Sequence, residues 1–154
     1  MKVHGLTEKS KAKPILGYSD TETIKLDFDN TTFEKVMYWA LRAMRKFRLE
    51  GFMILKSSKN CYHVIFDRVV SWSDNMRVVA WVSLLSHNQA LTKYLLMQCI
   101  KESSTLRVSE KREKASPRIV FRQGRQDKQI KSFLELRGAI KVIERKLSRK
   151  PRLS

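Results

Sequence analysis

The chain has 154 residues, 42% of them hydrophobic, which is enough for one domain with a buried core and excludes a disordered chain. Its net charge of +17 favours a polyanionic partner, with nucleic acid the first choice and an anionic membrane the second. No apolar run approaches the roughly 20 residues of a membrane span, and the first residues lack a secretory signal, so we expect a cytoplasmic protein without a membrane partner.

Hydrophobic periodicity and turn residues divide the chain into several elements between a flexible basic arm, residues 1–19, and a basic tail, residues 148–154. The sequence predicts a strand, a helix, a hairpin, a helical region that can break near residues 86–89, two strands and a last helix. These elements cover residues 23–29, 30–47, 52–66, 76–100, 104–109, 118–123 and 127–147. The order predicts a single small α+β domain over residues 20–147, with a mostly antiparallel sheet flanked by helices.

The first predicted strand carries two carboxylates on one face. Side chains alternate along a strand, so apolar residues fill one face and Lys25, Asp27 and Asp29 lie on the other. Two carboxylates about 6–7 Å apart repel each other unless a cation lies between them. A divalent metal ion is the usual cation. The alternative is that this face of the strand is simply solvated.

His63 lies in the second strand of the predicted hairpin, on the face that also carries Cys61 and Ile65. That strand can lie beside the strand of Asp27 and Asp29, which would bring the three polar side chains onto one face of the sheet. Aspartates that hold divalent cations, beside a histidine that contacts nucleotide phosphates, form a site that stabilises phosphoryl transfer. The alternative for His63 is a half-buried histidine with a structural role.

Three segments in this order, KLDFDN, KSSKNCYHVIF and SSTLRVSEK, resemble the archaeo-eukaryotic primase superfamily, and in particular the compact domains of archaea and mobile elements. The first is similar to the family's metal-binding D-x-D motif. The second is similar to its Ser-x-His motif, with Cys61 in the place of the serine. The third is similar to the strand that follows the family's third, acidic motif. The only acid near that strand is Glu102, and the likeness covers roughly residues 20–140.

The resemblance implies an RRM-like catalytic core and a primase or polymerase activity that depends on Mg²⁺ or Mn²⁺. It implies that Asp27, Asp29 and His63 are catalytic, and that Glu102 joins the two aspartates as a metal ligand. The residues implied to contact the NTP or dNTP are Ser58, Lys59, His63 and Arg107. Other subunits of a primase or replisome are the implied protein partners.

The last third of the chain holds most of the excess positive charge, with 17 Lys and Arg against 6 Asp and Glu in residues 101–154. It is the predicted contact surface for the phosphates of single-stranded DNA or RNA. The candidate contacts are Arg118, Arg122, Arg125 and Lys128. Strict alternation predicts that Arg118 and Arg122 share one face of a strand. No recognition helix is evident, so no base specificity is expected.

Three functions fit these residues. The first is metal-dependent nucleotidyl transfer in DNA replication, which makes or extends a primer. The second is a catalytically degenerate accessory of a primase or replisome that binds nucleotide or template. The third is a basic nucleic-acid-binding regulator with a coincidental D-x-D. A third carboxylate distinguishes the first function from the second, and metal dependence distinguishes both from the third.

Overall fold

The computed structural model describes residues 14–149, which form six strands and four helices. The strands are β1 (Gly17–Asp20), β2 (Thr23–Phe28), β3 (Gly51–Ser58), β4 (Cys61–Val69), β5 (Ser104–Arg107) and β6 (Arg118–Gly124). The helices are α1 (Phe33–Phe47), α2 (Trp72–Ser86), α3 (Gln89–Lys101) and α4 (Gln129–Ser148). The predicted tail lies outside the described residues except for Ser148, which ends α4, and Arg149.

The strands form two antiparallel sheets. Four strands make a sheet in the order β2-β4-β3-β6, and β1 pairs with β5 in a separate two-stranded ribbon. The prediction of one small α+β domain with a mostly antiparallel sheet is confirmed. The RRM-like character of the core stays a prediction.

Both faces of the four-stranded sheet are covered. On one face Ile24, Leu26 and Phe28 of β2 join the main core, which also contains apolar residues of α1, α2 and α3. On the other face Met53 and Ile65 belong to a smaller core with apolar residues of α4. The alternation predicted for β2 and for β4 is therefore confirmed, and Asp27 lies on the face of the smaller core.

Local capping residues explain where the helices begin. The side chains of Thr32, Ser71 and Asn88 accept hydrogen bonds from backbone N–H groups in the first turns of α1, α2 and α3. Helix α4 has no such side chain of its own at its start. Instead, the buried carboxylate of Asp67 in β4 accepts hydrogen bonds from the N–H groups of Lys128 and Ile130.

Most predicted boundaries lie within a few residues of the observed ones, and three differences have a clear structural cause. Residues 17–19, predicted to belong to the arm, are part of β1, because β1 pairs with a strand about 90 positions later in the chain. Helix α2 begins at Trp72, earlier than predicted, since Ser71 caps it. The hairpin strands are longer than their apolar runs and leave only Lys59 and Asn60 in the turn.

A buried cation ties the β1–β5 ribbon to β2. Lys25 Nζ lies 2.7 Å from Oδ1 of Asp20 in β1 and 2.8 Å from Oγ of Ser104 in β5, and the lysine side chain is fully buried. The alternative of a solvated strand face is therefore wrong at Lys25. Within residues 14–149 no helix is both long enough and apolar enough to span a bilayer.

Candidate nucleotide and metal site

Asp27 and His63 are direct cross-strand partners in β2 and β4. Oδ1 of Asp27 lies 3.5 Å from Nε2 of His63. The imidazole is almost completely buried, whereas 35% of the aspartate side chain is exposed. The pairing of β4 with β2 thus brings the predicted histidine to the first aspartate of the D-x-D segment, at the edge of the sheet where a ligand can reach the carboxylate.

The two aspartates repel each other electrostatically, as the sequence predicts. Burial, and next the negative charge of Asp29, raise the pKa of Asp27 to about 6. Arg107, Lys111 and Lys114 oppose this rise through their positive charges, but only in part. The carboxylate of Asp27 is therefore in a place where an added cation would be stabilised.

His63 is a neutral imidazole at physiological pH. Its burial, and next the positive charge of Arg107, lower its pKa to about 3. The 3.5 Å approach to Asp27 is consequently not an ion pair, although its distance alone would allow one. A neutral imidazole carries one N–H donor and one acceptor nitrogen, so His63 can donate to an anionic ligand without adding charge.

Arg107, at the end of β5, is the cation whose charge acts most strongly on the pKa of Asp27. Its guanidinium donates to the carbonyl oxygens of Ser109 (2.6 Å), Ala115 (3.1 Å) and Ser57 (3.3 Å). Burial lowers its pKa and Asp27 opposes that shift, so the two side chains attract each other. Three of its five N–H donors have backbone partners, and the guanidinium is held between β3 and the loop after β5.

The loop between β5 and β6 adds further cations. Lys111 and Lys114 bond to each other through their backbones, with N–O distances of 3.0 and 2.8 Å, which closes a tight turn. Both side chains are exposed and both act electrostatically on Asp27. The site therefore combines two carboxylates with cations, a composition that suits a metal ion together with a polyphosphate.

Glu102 does not complete a metal site. Glu102 is the residue that follows the C-terminus of α3. It lies two positions before Ser104, the first residue of β5, whose hydroxyl accepts a hydrogen bond from Lys25. Arg107 occupies the opposite end of that strand, about 10 Å further along. In residues 14–149, no three His, Cys, Asp or Glu side chains are arranged to hold a metal ion by themselves. No third carboxylate is arranged with Asp27 and Asp29 in this part of the chain, so the assignment of Glu102 as a metal ligand stays a prediction that the geometry does not support.

The residues predicted to contact the nucleotide are brought together only in part. Ser58 ends β3, and Lys59 lies in the exposed turn that follows. The N–H of Thr31 donates to the carbonyl oxygen of Asn60, at 3.0 Å, so this turn lies beside the segment that follows Asp29. Ser58 and Lys59 thus lie at the same end of the sheet as Asp29.

The four predicted nucleic-acid contacts do not form one surface. Arg118 pairs with Lys56 and Arg122 with Met53, and a bulge opposite Ile54 and Leu55 places these two arginines on opposite faces of the sheet. The prediction that they share a face is wrong, because one extra residue in a strand reverses the alternation. Arg125 and Lys128 lie together, since both contact the carboxylate of Glu50.

Sequence reasoning missed three arginines near Lys128. Arg45 and Arg48, at the C-terminal end of α1, line a groove with Arg68 of β4 and Lys128. The sequence pattern places Arg45 and Arg48 on the solvated face of a helix, and it places Arg68 near the end of a strand. No local pattern indicates that the two elements meet there.

Comparison with protein-family models, with curated proteins and with solved structures finds no match to this chain. The resemblance to primases therefore stays a prediction from the three sequence motifs.

Proposed function

We propose that this chain is a nucleic-acid-binding replication protein that binds a nucleoside triphosphate together with Mg²⁺ or Mn²⁺ at Asp27 and Asp29. One observation carries the proposal: the D-x-D carboxylate of Asp27 lies next to His63 in the cross-strand register, with Arg107 close by. These are the residues that the resemblance to primases assigns to metal and nucleotide, and the RRM-like core that it implies belongs to the same proposal.

The carboxylates of Asp27 and Asp29 fit a metal ion that binds as a complex with the nucleotide. Mg²⁺ in nucleotide sites is commonly held by one or two carboxylates, with substrate phosphates and water as the other ligands. Asp27 and Asp29 supply two carboxylates. A bound divalent ion would neutralise their repulsion and the charge of the phosphates.

The protein side chains would then orient the triphosphate. His63 would donate one uncharged hydrogen bond to a phosphate oxygen from its neutral imidazole. Arg107 would attract the phosphates from a guanidinium that backbone carbonyls already hold in place. Lys111 and Lys114, which are exposed, would add positive charge at the open side of the site.

The accessory function is the second candidate. It is favoured by the lack, within residues 14–149, of any group of three acidic, His or Cys side chains that could hold a metal ion, since the family resemblance implies a third carboxylate. On this alternative the protein binds nucleotide or template for a primase or replisome and does not transfer nucleotides.

Calorimetry tests the site. The parent is titrated with Mn²⁺ alone, with ATP alone and with both, and compared with Asp27→Asn/Asp29→Asn. Glu22→Gln/Glu135→Gln removes two exposed acids elsewhere and is the matched control. We expect tight binding only when metal and nucleotide are present together, lost in the first double variant and kept in the control. Equal binding by all three proteins would contradict the proposal and favour the basic regulator.

Extension of a labelled primer on a single-stranded template, with NTP or dNTP and Mn²⁺, then distinguishes the two candidates. Extension that disappears in Asp27→Asn/Asp29→Asn supports nucleotidyl transfer. Nucleotide binding without any extension supports the accessory function.

A further inference from the structure

A basic groove lies at the C-terminal end of α1, away from Asp27. It has a volume of about 640 Å³ and is open to solvent. Four cations and one carboxylate line it, and these are Arg45, Arg48, Arg68, Lys128 and Glu50. Like charges gathered around one concave surface repel one another, which favours an anionic partner for the groove.

The contacts within the groove leave much of this charge uncompensated. The carboxylate of Glu50 already contacts Arg125 at 3.0 Å and Lys128 at 3.5 Å. No Asp or Glu among residues 14–149 forms an ion pair with Arg45 or Arg48. These two arginines are exposed, and nothing acidic neutralises them.

Arg68 is fixed in the groove by the end of the helix. Its guanidinium donates to the carbonyl oxygens of Phe47 and Arg48, at 3.0 and 2.8 Å. A helix C-terminus carries partial negative charge, which explains the position of this one arginine. It does not explain why three more cations line the same groove.

A second groove continues the first. It has a volume of about 560 Å³, shares Arg68 and Val69 with the first groove, and extends to Asp74 and Arg77, whose side chains pair at 3.6 Å. Among residues 14–149, Arg68 is therefore the cation of this second groove that no carboxylate pairs with. Phe47 lines it, and the ring of Phe47 lies 5.5 Å from that of Trp81. The two grooves form one concave path with cations along it and an aromatic side chain in its wall.

We propose that this path, the α1-end groove, binds the sugar–phosphate backbone of single-stranded nucleic acid. A concave, elongated surface fits a linear polyanion, whereas a bilayer would need a flat or convex surface. Positive charge that follows a groove, with aromatic side chains beside it, is the usual design for binding single strands without base preference.

The groove is separate from the nucleotide site. Arg68 follows His63 by five residues in the same strand, which corresponds to about 17 Å. The inference deepens the nucleic-acid-binding part of the proposed function, and it does not depend on metal or nucleotide binding. Lys128 belongs to both the predicted contact set and this groove.

Two double variants test the groove. Arg45→Gln/Arg48→Gln removes two groove cations at the end of α1. Arg145→Gln/Lys146→Gln removes two exposed cations from the last turn of α4 and is the matched control, since the charge loss is the same and both pairs lie near the C-terminus of a helix. Arg45→Lys/Arg48→Lys keeps the charge. Binding of a fluorescent 20-nucleotide oligo-dT is measured by anisotropy at several salt concentrations, after thermal melts have shown that each variant is folded.

We expect Arg45→Gln/Arg48→Gln to raise the Kd about tenfold and to lower the slope of log K against log salt by about 1.4 for two lost phosphate contacts. The control should change Kd by less than threefold, and the lysine variant should keep most of the affinity. Equal losses in the groove and control variants would overturn the inference, because net charge alone would then explain binding.

Two further outcomes separate this inference from the proposed function. A parent that binds no oligo-dT at low salt would contradict nucleic-acid binding as a whole. A groove variant that binds oligo-dT like the parent but loses affinity for vesicles of phosphatidylserine would assign the groove to membranes and overturn the inference. The groove variant is expected to bind Mn²⁺ and ATP as the parent does.

Discussion

His63 and Asp27 face each other across β2 and β4 with 3.5 Å between Nε2 and Oδ1, yet they do not form an ion pair at neutral pH. Burial and Arg107 lower the pKa of the histidine to about 3. Burial and Asp29 raise the pKa of the aspartate to about 6. Above pH 6 the pair is a neutral imidazole beside a carboxylate, so only cations from outside the pair can offset its negative charge.

Replacing Asp27 by Asn is expected to raise the Tm of the metal-free protein at pH 8 and to leave it nearly unchanged at pH 4. The native pKa of about 6 exceeds the ordinary value of 3.8, so the native state binds the proton more tightly than the unfolded state does. The parent therefore loses stability as the pH rises from about 4 to about 6. Partial exposure screens the effect, and we expect a shift of about 2–5 °C.

Thermal melts between pH 4 and pH 8 in the presence of a chelator measure this effect. Glu135→Asn, which replaces an exposed acid on α4, is the control for the loss of one negative charge far from Asp27. A difference in Tm between parent and Asp27→Asn that stays constant over this pH range would show that Asp27 does not titrate near pH 6.

Replacing His63 by Ala is expected to weaken ATP binding in the presence of Mn²⁺ about tenfold, the cost of losing one hydrogen bond to a charged group. Binding of Mn²⁺ alone should change little, since the two aspartates remain. His63→Gln keeps a neutral donor and should recover part of the affinity. Because the imidazole is buried, melts must show that the cavity left in His63→Ala does not unfold the protein. Equal losses of metal and nucleotide affinity would contradict a phosphate contact.

The parts of the fold that depend on near neighbours in the sequence could be predicted. Alternation in β2 and β4, the capping residues of α1 and the two-residue turn between β3 and β4 concern residues a few positions apart. The pairing of Asp27 with His63 joins residues 36 positions apart, and the sequence allows this pairing without specifying it. The pairing of Gly17 with Arg107 joins residues 90 positions apart, and no periodic signal in either segment specifies it.

Parts of the candidate site could not be predicted for the same reason. The bulge that separates Arg118 from Arg122 reverses the alternation without any Gly or Pro between them to mark it. The meeting of α1 with β4, which builds the α1-end groove, depends on helix packing rather than on sequence spacing. The position of Glu102 relative to Asp27 depends on the direction in which β5 runs, which the β1–β5 ribbon determines.

Two glycines in the described chain are expected to respond oppositely to alanine. A β-carbon on Gly51 would collide with the backbone of Arg125, so Gly51→Ala should destabilise the protein by about 1–3 kcal/mol. A β-carbon on Gly138, in α4, would meet nothing within 4 Å, so Gly138→Ala should stabilise the protein by about 0.5–1 kcal/mol. Urea unfolding measures both. Similar effects of the two substitutions would contradict the close approach at Gly51.

We expect the replacement of Lys25 to weaken nucleotide binding, although its buried side chain cannot contact the nucleotide. Burial lowers its pKa, and Asp20 opposes this shift only in part. Burial also tends to raise the pKa of Asp20, but hydrogen bonds from Lys25 and Thr23 outweigh it and hold that pKa below its ordinary value. The carboxylate is thus stabilised as an ion, and its contribution is present above about pH 4 and lost as the pH falls through its lower native pKa.

Lys25→Met should therefore destabilise the protein by about 3 kcal/mol, because it leaves Asp20 without its charged partner. Lys25→Met/Asp20→Asn should recover part of that loss, since neither charge then remains. Urea unfolding at pH 7 measures both variants. A double variant that is less stable than Lys25→Met would contradict this explanation.

The same lysine holds β5 against β2, and β5 carries the Arg107 guanidinium that acts on Asp27. Lys25→Met should consequently weaken Mn²⁺-dependent ATP binding at a temperature well below its Tm. The control is Leu49→Ala, which truncates a buried side chain between α1 and β3 at a cost of about 2–5 kcal/mol and leaves the hydrogen bonds of Lys25 in place. If Leu49→Ala lowers nucleotide affinity as much as Lys25→Met does, general loss of stability explains the effect. If only Lys25→Met lowers it, the buried lysine is a positioning residue for Arg107.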